Sequence, residues 1–71
     1  MTPAALKSWR TRLGLSQHAA ADMLGVSHSW YRQMEAGQRR DTGEAVAIPK
    51  TVAYSCAWIA LHGAGNPFPD A

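Results

Sequence analysis

Apolar side chains recur at spacings of three and four in three short stretches and one longer one, the repeat expected of helices with a buried face. In the first stretch Leu6, Trp9 and Leu13 form a stripe, with Thr2 placed to cap the helix, Pro3 in its first turn and Gly14 to end it. In the second, Ser16 caps a helix opening on Gln17, His18 and Ala19; Ala21 and Leu24 share a face, and Gly25 breaks the helix where the chain must turn left-handed. Val26 plugs the corner. Ser27 then caps a third helix whose inward positions are Tyr31 and Met34, with Ala36 behind them. A fourth helix runs from Pro49 to about His62, where Gly63 stops it, and it is apolar around most of its circumference: Val52, Cys56, Ile59 and Ala60 on one face, Tyr54, Trp58 and Leu61 on another. The pattern predicts an all-α bundle of four or five helices, with one domain over residues 1–63 and a flexible tail over 64–71. Residues 41–48 have a turn-like start and a short apolar run, which reads as an extended arm or brief strand able to pair with its copy in a second subunit.

The outward positions of the third helix are His28, Ser29, Arg32 and Gln33. These are donors and acceptors of base-reading type, where a face that needed only solubility would more often carry Glu and Lys. Trp30 sits between the inward and outward positions, where an indole can complete the core edge, the first expectation, shield a nucleic-acid backbone or touch a thymine methyl. The stretch resembles the lambda-repressor and Cro helix-turn-helix family, also called XRE-type, in a gap-free register from Leu13 to about Arg40. The residues that carry the resemblance are Gln17, Ala21, Gly25, the inward pair Tyr31 and Met34, and Glu35-Ala36-Gly37. The chain departs from the family pattern at Ala20, where a Leu is usual, and at Asp41, where a Pro is usual.

The resemblance implies a lambda-repressor-like bundle that binds double-stranded DNA, with the third helix in the major groove. It also implies that Gln17 reaches a phosphate and braces the start of that helix, and that Arg10 pairs with Glu35 to clamp helix one to helix three. Within this frame His28, Ser29, Arg32 and Gln33 read bases, Gln33 suiting adenine while Arg32 and His28 suit guanine acceptors. Gln17, Ser27, Arg39 and Arg40 lie on the sugar-phosphate backbone, the two arginines following directly on the groove-facing helix.

Charge supports that reading. Residues 1–40 carry six cations, Lys7, Arg10, Arg12, Arg32, Arg39 and Arg40, against Asp22 and Glu35, a net +4; residues 41–71 carry Lys50 against Asp41, Glu44 and Asp70, a net −2. The basic half is the motif half, which suits a protein that meets phosphates with one side only.

Seventy-one residues make a small core, so a contact between subunits is expected, with the Tyr54, Trp58 and Leu61 face as a dimer interface anchored by Trp58. The chain has no glycine-rich phosphate loop, no paired carboxylates in an enclosed site and no evident His partner for its single cysteine, Cys56. An enzyme is therefore not expected, nor is any cofactor. Cys56 reads as a small buried thiol, and His18 with Asp22, four apart, reads as an exposed helical pair that falls short of a zinc site. No leader and no apolar run near the ~20 residues of a membrane span is present, so a cytoplasmic protein is expected. The sum is a sequence-specific, homodimeric transcriptional repressor at a palindromic operator, regulating its own operon in a phage or mobile element. The alternative is a protein-binding module, an antitoxin or adaptor that uses the apolar last helix.

Overall fold

Helix boundaries in the computed structural model, which describes residues 1–63, fall where the cap residues put them. The elements are α1 (Pro3–Arg12), α2 (Gln17–Leu24), α3 (His28–Ala36) and α4 (Lys50–His62), an all-α bundle. Thr2, Ser16 and Ser27 each turn a hydroxyl onto the backbone N–H three residues on, satisfying one of the free donors that open α1, α2 and α3. One corner design serves twice. After α1 the Gly14 and Leu15 N–H groups donate to Thr11 and Arg10 carbonyls, and after α2 the Gly25 and Val26 N–H groups donate to Asp22 and Ala21 carbonyls. In both, a left-handed glycine (φ 68° and 70°) ends the helix, the next apolar residue packs against the core, and a serine caps the following helix. Gly-Leu-Ser and Gly-Val-Ser thus set how α1, α2 and α3 meet.

The core draws on all four helices: Leu6 and Trp9 from α1, Ala20 and Ala21 from α2, Tyr31 and Met34 from α3, and Val52, Cys56 and Ile59 from α4. Ala20 is fully buried, so a small side chain suffices at that position. The Trp9 indole N–H donates to the Cys56 carbonyl at 2.9 Å, a buried bond joining α1 to α4. Burial pushes the Cys56 thiol up to about 11, keeping it a neutral packing group. At the far end of α3, Gly37 takes φ 79°, and a Cβ there would stand 3.1 Å from Pro3 Cγ, so the α3 terminus packs directly on the start of α1.

Several positions depart from the helical-wheel reading. Leu13 is the residue that ends α1 and is exposed, because the chain leaves the helical path there. Ala36 and Ala60 are exposed as well. Trp30 is exposed and lies outside the core, which Tyr31 and Met34 fill on α3. The 41–48 segment makes backbone pairs with the turn after α3. Gln38 and Ala45 form an antiparallel bridge, Arg39 N–H donates to the Glu44 carbonyl at 2.7 Å and Val46 N–H to the Gly37 carbonyl at 3.1 Å. Val46 and Ile48 then pack on the core edge. The tail expected over 64–71 lies outside the described residues. No helix among the described residues is long and apolar enough to cross a membrane.

Candidate nucleic-acid interface

The outward face of α3 is held in place from behind. Arg10 on α1 meets Glu35 on α3 in a two-point fork, Nε to Oε2 at 2.8 Å and Nη2 to Oε1 at 3.0 Å, while its Nη1 donates to the Leu15 carbonyl at 3.0 Å. The side chains are 15% and 6% exposed, so the pair is largely withdrawn from water. Gln17 Nε2 adds a donor to Glu35 Oε1 at 3.3 Å. This corrects the expected place of the Gln17 brace, which engages the last turn of α3 and not its start. Burial pushes the Glu35 carboxyl upward, but the neighbouring Arg10, Tyr31 and Gln17 side chains outweigh it and hold the group below its usual range. The Arg10 guanidinium is correspondingly raised, chiefly by its bonds to Glu35. Tyr31 is buried beside the pair with its hydroxyl unpartnered; burial first, then the Glu35 carboxylate, raises its ionisation well above the usual phenol value. The clamp fixes α1, the α1–α2 corner and α3 as one unit.

On the other side of α3, Ser29, Arg32, Gln33 and Ala36 line a cleft of about 350 Å³ with Gln38 and Arg40 from the turn that follows. Gln33 Nε2 lies 3.4 Å from the Ser29 hydroxyl, one helical turn away. The structure thus brings together Ser29, Arg32, Gln33 and Arg40, all singled out in the sequence. It adds Gln38, whose place on the cleft depends on the hairpin-like closure over 37–46, and Ala36, the last residue of α3. Arg39 sits beside them on a second, shallower depression and carries a long 3.4 Å contact to Asp41 at the surface. Arg32 and Arg40 have no ion-pair partner among the described residues.

His28, the first residue of α3, is engaged across the turn. Its Nε2 lies 2.9 Å from Asp22 Oδ1 on α2, and the His18 ring stacks on it with centroids 4.0 Å apart. Asp22 therefore pairs with His28 and not with His18 as the i, i+4 spacing suggested. Sequence spacing within one helix could not reveal a contact made across a corner. Among the described residues no three His, Cys, Asp or Glu side chains gather in a way that could hold a metal.

Ser27 and Gln17 occupy the starts of α3 and α2. The Ser27 and Ser16 hydroxyls each cap one N–H, which leaves the other first-turn backbone donors of both helices without an intrahelical partner. On α4, Tyr54, Trp58 and Leu61 are 70%, 43% and 81% exposed, with Trp58 stacked on His62 at 3.9 Å between centroids. This face is far more apolar than solvation alone requires. Residues 4–48, spanning α1, α2, α3 and the turn after them, match a family model described as a helix-turn-helix domain. No solved structure gives a significant match to the chain.

Proposed function

The chain belongs to the helix-turn-helix domain family, and from that premise we propose that it is a sequence-specific double-stranded DNA-binding regulator. It acts as a homodimeric repressor at a palindromic operator, controlling its own operon. The observation that carries this is the cleft on the outward side of α3, where Ser29, Arg32, Gln33, Gln38 and Arg40 converge with no acidic side chain among them.

In this reading α3 enters the major groove, its N-terminal residues foremost, and His28, Ser29, Arg32 and Gln33 contact base edges. Gln33 suits the paired donor and acceptor of adenine, and Arg32 the two acceptors of guanine. Arg39 and Arg40 reach phosphates beside the groove, while the open N–H groups at Gln17 and around Ser27 receive phosphate oxygens. Two copies joined through Tyr54, Trp58 and Leu61 would place two recognition helices about one DNA turn, roughly 34 Å, apart. Repression follows where such an operator overlaps a promoter. The apolar α4 face equally favours a second reading, a module that holds a different protein, and that reading takes over if DNA binding proves unspecific.

The test is Gln33→Ala on two duplexes, one from upstream of the protein's own coding sequence and one scrambled. Operator affinity is expected to fall by ~1–3 kcal/mol with specificity relaxed at one base pair, while binding to scrambled DNA is unchanged. Equal loss on both duplexes excludes base reading by this face.

A further inference from the structure

We propose that Asp22 fixes the tautomer of His28, so that the ring meets its base pair through Nδ1 as an acceptor and takes a hydrogen from adenine N6 or cytosine N4. The proposal rests on the DNA-binding reading above and adds a positioning residue on α2 that determines a choice made on α3.

A carboxylate oxygen can only accept, so the 2.9 Å contact between Asp22 Oδ1 and His28 Nε2 requires the hydrogen to sit on Nε2. In a neutral imidazole the other nitrogen, Nδ1, is then bare. No protein partner for Nδ1 is present among the described residues. The His18 ring, stacked on His28 at 4.0 Å with a 35° tilt, opposes the ring rotation that would carry Nε2 away from Asp22. Asp22 and His18 lie one helical turn apart on α2, so a single helix holds the ring from its edge and from its face.

His28 is the first residue of α3, at the end of a recognition helix that meets base edges. In the major groove guanine shows acceptors at N7 and O6 and thymine an acceptor at O4, so neither offers a bare Nδ1 a hydrogen. Adenine N6 and cytosine N4 do. The expectation that histidine here suits guanine assumes a free donor, and the structure commits that donor to Asp22. Both partners are surface groups, their side chains 39% and 72% exposed, so the pair contributes little to stability and can be removed without unfolding the protein.

The experiment pairs a selection with a spectroscopic measurement, at alkaline pH where imidazoles are neutral. The intact protein, Asp22→Ala and His28→Ala are each used to enrich a random-sequence duplex library, and ring-nitrogen NMR reads the His28 tautomer in the free protein. The wild type is expected to show the Nε2–H form and to prefer one base pair at the one position whose preference His28→Ala abolishes. Asp22→Ala is expected to give a mixed tautomer and to lose about fivefold in preference at that position alone. An Nδ1–H ring in the wild type, no position whose preference depends on His28, or an Asp22→Ala motif identical to the wild type overturns the proposal. An Nε2–H ring with no motif enriched at all overturns the DNA-binding reading itself, and the base choice with it.

Discussion

Helices α3 and α4 each bury one face and leave the other to solvent, yet the two exposed faces are made differently and held differently. On α3 the outer face is polar, and the helix is capped by Ser27, ended by a left-handed Gly37 and locked from behind by the Arg10–Glu35 fork. On α4 the outer face is Tyr54, Trp58 and Leu61, the start has no side-chain cap, and the helix is held by its buried stripe and by the Trp9 bond to Cys56. Hydrogen-bonded recognition fails if donors stand an ångström out of place, so a reading helix needs a fixed pose. Apolar contact depends on area and tolerates adjustment. The difference supports the roles proposed for them, base recognition by α3 and association through α4.

Breaking the clamp has the largest expected effect. Arg10→Ala leaves Glu35 buried and unpaired and should cost on the order of 3 kcal/mol, seen in urea or thermal denaturation. An unchanged melting temperature removes the clamp from the explanation of how α3 is posed. Trp58→Glu attacks the other helix: the fold should survive by circular dichroism, while self-association measured by sedimentation weakens by about 2 kcal/mol. Should the variant and the wild type sediment alike, α4 is not the subunit contact.

Acid offers a gentler probe of the clamp. The folded Glu35 carboxyl lies below its ordinary value, so its contribution to stability is complete above about pH 4.3 and is lost as pH falls through the lower folded value. Glu35→Gln should flatten this acid limb in urea titrations, and an acid limb as steep as the wild type's places the proton uptake elsewhere. The smallest effect belongs to Arg40→Ala, which should leave stability unchanged and reduce the salt slope of DNA binding by about 1 on operator and scrambled duplexes alike. A sequence-dependent loss would move Arg40 from the backbone into base reading.

Much of this architecture was legible in the sequence because it rests on local chemistry. Serine caps, glycine stops and the three-four spacing of Tyr31 and Met34 act within a few residues, and they put all four helices in place. The Arg10–Glu35 pair was reachable only through family resemblance, since nothing local links residues 25 apart. The contacts that escaped detection cross corners or close loops. Asp22 could be paired with His18 by helical spacing, but only the Gly25 corner carries His28 back to it. Likewise the Gln38–Ala45 bridge depends on the turn between those residues, a closure that helical periodicity cannot reveal. Ala36 and Ala60 were misassigned because alanine satisfies an inward or an outward position equally.

Fluorescence anisotropy of the intact protein on its own upstream DNA and on a scrambled duplex, at near-physiological salt, tests most directly whether the outer face of α3 reads sequence. A gap of about a thousandfold or more between the two duplexes is the expected result. Weak, equal binding to both, falling steeply with added salt, would mean that only phosphates are felt and would contradict it.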